Sequence, residues 1–169
     1  MSSSDTTSLL DRAPDSSVLG MIGRTPLVRL HQFERETPGV ELYAKAEWQN
    51  PGGSVKDRAA LGMILDAEEK GLLKPGATII EPTAGNTGIG LALVGVARGY
   101  RVILCVPRGF AVEKMKLIEA LGGEIEYVSH EAGMQGAIAR CHELAATIDR
   151  ALHAGLVWHV FNLTPESFD

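Results

Sequence analysis

A lysine in the first turn of a helix, just past a glycine turn, is a candidate nucleophile. Pro51-Gly52-Gly53-Ser54-Val55-Lys56-Asp57-Arg58 has that form. Ser54 is a natural N-cap, because its hydroxyl can accept from a backbone N–H two or three residues on. The helix N-terminus carries partial positive charge and disfavours an ammonium. That environment pushes Lys56 toward the neutral amine a nucleophile needs, with Asp57 partly offsetting the effect. The chemistry indicated is Schiff-base formation with an aldehyde. A solvated lysine on a turn between strand and helix has the same local sequence, and on this stretch alone both readings stay open.

A second candidate stretch is Glu81-Pro82-Thr83-Ala84-Gly85-Asn86-Thr87-Gly88-Ile89-Gly90. It follows a short apolar run and opens a helix. A plain glycine turn accounts for Gly85 but not for the hydroxyls around it. Asn86 is a favoured cap residue, and its amide is equally suited to hold a ligand.

The elements that must position these residues read as alternating strands and helices. Glu41 to Trp48 alternates as a strand and breaks at Asn50-Pro51-Gly52-Gly53. A helix is expected from about Val55 to Lys70, with Leu61, Ile64, Leu65 and Glu68 as a stripe that fades at its end, and Gly71 as its C′ residue. Thr78 to Ile80 is a short buried strand. The next helix runs from about Thr87 to Arg98, with Gly88, Ala92 and Gly95 on its buried face. Its glycines each weaken a helix by about 1 kcal/mol relative to alanine, so a packing reason is required, and close approach of helix to sheet supplies one. Strand 101–106, helix 112–121, strand 124–128, helix 134–148 and a strand near 157–161 follow. The alternation implies an α/β fold with a parallel sheet and right-handed crossovers. Near the start, Val28 and Leu30 flank Arg29 as in a half-buried strand, and Pro26 biases Thr25 away from helix.

Composition narrows the partners. The chain has 169 residues, enough for one domain and a real core, and its 45% hydrophobic and 22% charged content is that of a soluble globular protein. A net charge of −5 with no basic run argues against nucleic acid or an anionic membrane. Cys105 and Cys141 make neither a disulfide framework nor a zinc spacing, and the five histidines form no metal motif. Residues 1–17 read as a polar, disordered tail without a signal-peptide core. The longest apolar run, Ile89 to Val106, is interrupted by Arg98 and Arg101 and is too short to span a membrane. A cytoplasmic location is the resulting expectation.

Taken together and in order, the two stretches closely resemble the cysteine synthase (O-acetylserine sulfhydrylase) family. These are pyridoxal-phosphate enzymes of the tryptophan synthase β type, with cystathionine β-synthases as near relatives. The resemblance runs from about Leu19 to Ile148. It implies pyridoxal 5′-phosphate as cofactor and Lys56 as the Schiff-base lysine, which in the family also acts as base at the substrate Cα. It implies Asn86 as the amide that holds the cofactor's ring oxygen. Thr83, Ala84, Gly85, Asn86 and Thr87 fall on the family's substrate-carboxylate loop, where backbone N–H groups suit an anion. Ala84 departs from the usual serine and removes one hydroxyl donor. The family's glycine- and threonine-rich phosphate loop has no counterpart after Asp149, and Val160 stands before Phe161 where the family tends to have glutamine.

The implied domain plan is a small α/β domain over 43–150. Residues 18–42 would be strands of an incomplete larger domain, left without neighbours, and 151–169 a returning strand with a divergent tail. The implied reaction is β-replacement on an activated serine, O-acetylserine plus sulfide giving cysteine, with an amino acid as substrate and a homodimer as the full-length family's assembly. Two other readings stand beside it: a truncated homologue acting as a binding module, and a gene fragment. Cystathionine β-synthase chemistry is not separable from cysteine synthase chemistry on these residues. Threonine dehydratase fits less well, because both motifs look like the sulfur branch.

Overall fold

The structure, a computed structural model, describes residues 17–148 and 151–153. The polar stretch up to residue 16 and the strand expected near 157–161 lie outside the described residues. Element order is a 3₁₀ turn at Val18–Met21, β1 (Leu27–Arg29), α1 (His31–Glu34), β2 (Tyr43–Lys45), a 3₁₀ turn at Glu47–Gln49, α2 (Lys56–Glu69), β3 (Thr78–Glu81), α3 (Asn86–Ala97), β4 (Arg101–Pro107), α4 (Val112–Ala120), β5 (Glu124–Val128), α5 (Gly133–Thr147) and β6 (Ala151–His153).

The main sheet is parallel with strand order β5-β4-β3-β6. Its central strands carry the continuous apolar runs that burial on two faces demands. Alternate residues serve opposite faces. Ile79, Val102, Leu104 and Val106 join a large core with Leu61, Ile64 and Leu65 of α2, Leu91 and Val94 of α3, and Ile118 of α4. Ile80, Ile103 and Cys105 face the other way, against Ala137 and Cys141 of α5. Leu19 in the N-terminal turn and Ile22 just after it are buried in the larger core.

Glu68 ends the stripe of α2 as a polar residue for a visible reason. It accepts from Arg98 Nε at 2.7 Å and from Tyr100 Oη at 2.6 Å, fastening α2 to the end of α3.

Three helices stop in the same way. After α2, Gly71 (φ +69°) sits at C′, its N–H reaches Glu68 O at 3.0 Å, and Leu72 N–H reaches Ala67 O at 2.9 Å. Gly99 after α3 and Gly122 after α4 repeat the pattern, with Tyr100 and Gly123 closing onto Gly95 and Ile118. These are Schellman motifs, in which glycine supplies the left-handed residue.

Gly62, inside α2, is different: a Cβ there would meet nothing within 4 Å. Gly62→Ala is therefore expected to stabilise the fold by about 0.5–1 kcal/mol, read as a higher midpoint in urea unfolding. An unchanged or lower midpoint would mean that α2 is not held as described.

The N-terminal strands differ from expectation in two respects. Leu27–Arg29 does have a neighbour, since β1 pairs antiparallel with β2, Val28 opposite Ala44. It is not half-buried, however, because all three of its residues are exposed. The strand expected over 41–48 is shortened to Tyr43–Lys45, and Glu47–Gln49 winds into a 3₁₀ turn instead.

Candidate active site

In open parallel sheets, ligands bind outside the carboxyl ends of the strands where strand order reverses. Here β3 leads through α3 to β4 on one side, while β6 lies on its other side. The reversal is thus at β3, and the loop leaving its carboxyl end is Pro82 to Gly85, which runs into α3. Topology alone places the second candidate stretch at the ligand position.

The first amides of α3 are presented without a competing cap. Gly85 occupies the N-cap position in an extended conformation and makes no side-chain cap hydrogen bond. The amides of Asn86, Thr87 and Gly88 have no intrahelical acceptor by helix geometry. Asn86 is the first helical residue, not the cap, and its side chain is exposed. Capping therefore does not account for Asn86. Thr83 and Thr87 are half-buried, while Ala84 is buried and offers no hydroxyl.

Lys56 is the first residue of α2 and is half-buried. Ser54 Oγ accepts from its backbone N–H at 3.2 Å, although the formal cap position is taken by Val55. The two motifs are joined by a glycine. A Cβ on Gly90 would lie 2.8 Å from the Lys56 carbonyl oxygen and 3.2 Å from Ala60 Cβ, so only glycine lets α3 approach the first turn of α2. Asn86 lies four residues earlier in α3, about 6 Å along the helix axis. The structure thus sets the backbone of Lys56 against α3 at Gly90, about one turn from the helix start where the Thr83–Thr87 loop leads in. Close approach to the sheet does explain Gly88 and Gly95, where a Cβ would meet Leu104 at 2.9 Å and Val102 at 2.5 Å. Gly90 answers to a helix instead.

Sequence reasoning missed the network behind Lys56. Arg58 donates from Nε and Nη2 to the Glu47 carboxylate at 2.9 and 3.0 Å, and from Nη2 to Thr25 Oγ1 at 3.2 Å. Thr25 Oγ1 also donates to Glu47 at 2.8 Å, and Asn50 donates to Glu47 Oε2 at 2.8 Å. Asn50 Oδ1 accepts from Gly23 N–H at 2.8 Å, and Lys45 Nζ donates to the Thr25 carbonyl. The Arg58 hydrogen bonds outweigh desolvation and hold the Glu47 carboxyl down, at about 2. The nearest sequence signal was the Gly23-Arg24-Thr25-Pro26 turn, which shows nothing locally of its long-range partners.

Two buried carboxyls flank the site. Asp57 is fully buried, and burial pushes its carboxyl above the ordinary range despite a hydrogen bond from Gly52. Glu81, the last residue of β3, is 3% exposed and has one oxygen without a hydrogen-bond partner. Burial, with the neighbouring Cys105 thiol adding to it, pushes Glu81 up to about 8.

The donor set fits an aldehyde cofactor in part. It offers an amine at Lys56, an amide at Asn86 and free N–H groups at the start of α3.

Comparison with known proteins shows the family. The family described as "Pyridoxal-phosphate dependent enzyme" matches residues 18–164, further toward the C-terminus than the resemblance read to Ile148. A cysteine synthase from Flavobacterium sp. is 50% identical over 129 residues, covering 76% of this chain and 41% of the relative. An O-acetylserine dependent cystathionine beta-synthase from Bacillus subtilis is 46% identical over 136 residues, covering 80% of this chain and 44% of the relative. Among solved structures, a hydrogen sulfide-producing enzyme from Fusobacterium nucleatum superposes with a TM-score of 0.76 at 38% identity, over 82% of this chain and 44% of that one. The chain spans about two fifths of the length of the curated relatives it matches.

Proposed function

Because the chain belongs to the pyridoxal-phosphate dependent enzyme family, we propose that it carries the lysine and carboxylate-loop part of a β-replacement site acting on an activated serine. O-acetylserine plus sulfide giving cysteine is the proposed reaction. The relatives support the coarser class, β-replacement on serine derivatives, in their printed names: a cysteine synthase, an O-acetylserine dependent cystathionine beta-synthase and an O-ureido-L-serine synthase. The observation that carries the proposal is the Gly90 contact, which sets the backbone of Lys56 against the first turns of α3.

Bound pyridoxal phosphate would supply an electron sink at the substrate Cα. Lys56 Nζ would hold the cofactor's aldehyde carbon and, once released, take the Cα proton. The Asn86 amide would orient the ring oxygen. The amides at the start of α3, with the hydroxyls of Thr83 and Thr87, would hold the substrate carboxylate. Ala84 contributes only its backbone to that grip. The domain plan, small α/β domain 43–150 with 18–42 belonging to a larger one, is part of the same proposal. So are the cytoplasmic location and the homodimer. Among the described residues no helix is long and apolar enough to cross a membrane.

The test is direct. The chain is mixed with pyridoxal phosphate, reduced with borohydride and mapped by peptide. The expected result is a visible absorption band and a label on Lys56, with Lys45, Lys70, Lys74, Lys114 and Lys116 labelled far less. Even labelling across the lysines would remove the proposal.

A second reading is favoured by a specific observation. Leu27, Val28, Phe33, Tyr43, Trp48 and Val55 are all exposed, and they cluster in the N-terminal part of a chain that spans two fifths of its relatives. Under this reading the chain is a binding module that associates with a complete relative. Co-expression followed by size-exclusion chromatography decides it, and separate elution counts against it.

A further inference from the structure

We infer that Asp57 is a positioning residue for Lys56: its buried carboxyl latches the Pro51–Gly53 turn onto the first turn of α2, so that the lysine leaves a fixed platform. The functional half of this inference rests on the Lys56 reading above; the latch itself does not.

The latch is built from contacts on the page. Asp57 Oδ2 accepts from Gly52 N–H at 2.5 Å. A Cβ on Gly52 would lie 2.4 Å from Oδ1 and 2.9 Å from both Cγ and Oδ2 of the same carboxyl. The two adjacent glycines therefore have different reasons. Gly53 has φ +80° with nothing within 4 Å, so it is there for its backbone conformation. Gly52 has no such φ and is there for space, because the Asp57 carboxyl occupies the position its side chain would take.

The turn is closed from the other side as well. Gly53 N–H reaches Asn50 O at 2.8 Å, and Asn50 donates to the Glu47 carboxylate, which is gripped by Arg58. Asp57 and Arg58, the two residues after the lysine, thus hold the turn before it through a ring that runs by way of Gly52, Gly53, Asn50 and Glu47. The cost of this arrangement is visible. Asp57 is fully buried and its Oδ1 has no hydrogen-bond partner. An unsatisfied buried polar atom costs about 1–3 kcal/mol and calls for a reason. Fixing the exit of a reacting side chain is such a reason, since a misplacement of about 1 Å can cost about 100-fold in rate.

The test uses the whole chain with Asp57→Asn, Asp57→Ala, Gly52→Ala and the double variant. Two quantities are read: exchange of the Gly52 amide hydrogen, and the share of borohydride-fixed pyridoxal phosphate that falls on Lys56 among all lysines. Asp57→Asn keeps an acceptor for Gly52 and is expected to leave both within about twofold of wild type. Asp57→Ala is expected to speed Gly52 exchange by about tenfold or more and to cut the Lys56 share by a similar factor. Gly52→Ala is expected to cut the share in the wild-type background and to add little on top of Asp57→Ala, because the clash is then gone. Should Asp57→Ala fail to fold, Asp57→Asn and Gly52→Ala still decide between the outcomes. Unchanged Gly52 exchange in Asp57→Ala, or an unaltered Lys56 share in Gly52→Ala, overturns the inference. If wild type labels some other lysine, the Lys56 reading falls while Gly52 exchange still decides the latch.

Discussion

Glu81→Gln is expected to stabilise the fold increasingly as pH rises from about 4.5 to about 8, the range set by the ordinary value and the shifted one. Glu81 is 3% exposed at the carboxyl end of β3, with Oε2 unpartnered. Burial, followed by the Cys105 thiol, holds its proton on up to about pH 8. The unfolded chain releases that proton near the ordinary value of 4.5. Between the two values the folded state binds one more proton than the unfolded state, so stability falls as pH rises. Stability present below the lower value is lost progressively through the window, and the slope vanishes above it. The linkage ceiling is on the order of 5 kcal/mol, and a loss of a few kcal/mol is the expected scale. Glutamine keeps the shape and removes the titration. Urea midpoints at three values of pH across the window should fall in wild type and stay flatter in the variant. Asp57, also shifted up by burial, contributes a slope of the same sign to both proteins. Glu47 has the opposite sign: held down at about 2 by Arg58, it contributes stability above its unfolded value that is lost only as pH falls through the acid range. Parallel wild-type and variant curves across the window would remove Glu81 as the cause.

Much of the scaffold was legible because its signals are local. The apolar run at Ile79-Ile80 and that from Val102 to Val106 read as buried strands and are β3 and β4, and Gly71 marked the end of α2 by the same rule that ends α3 at Gly99 and α4 at Gly122. The helix starting at Lys56 and the loop before α3 were legible as well. What was not legible depended on residues far apart in the chain. Alternation around Arg29 shows which residues share a face but not whether anything covers that face, so β1 read as half-buried when it is exposed. Gly85 and Asn86 are both competent caps, and the sequence does not say that the glycine takes the position. The Arg58–Glu47–Thr25 grip spans 33 residues between Arg58 and Thr25, and no periodicity announces it. The strand expected over Thr78 to Ile80 stopped one residue short, whereas the structure carries β3 through Glu81 and buries it as the last residue. The helical glycines signalled close packing correctly, but the partner of Gly90 was a helix, and that difference is what joins the two candidate motifs.

Gly90→Ala is expected to destabilise the fold by about 1–3 kcal/mol, the usual range for overpacking. Intrinsic propensity argues the other way, since alanine is favoured over glycine in a helix by about 1 kcal/mol. The contact decides against propensity. A Cβ at residue 90 would stand 2.8 Å from the Lys56 carbonyl oxygen, 3.1 Å from its carbon and 3.2 Å from Ala60 Cβ. Two of these are backbone atoms, which cannot rotate aside as a side-chain tip would. Relief requires α2 and α3 to separate at the point where they bring Lys56 toward the Thr83–Thr87 loop. Gly62→Ala is the matched control, the same substitution in a helix with open space around it. Opposite shifts in the urea midpoints of the two variants are the expected result, and a Gly90→Ala protein as stable as wild type would mean the helices are not packed this closely. The label on Lys56 adds a separate decision. If Gly90→Ala lowers stability and also lowers labelling of Lys56 in the fraction that remains folded, the glycine sets the geometry of the site. If labelling in the folded fraction is unchanged, the contact serves packing alone and the two motifs are brought together by something else.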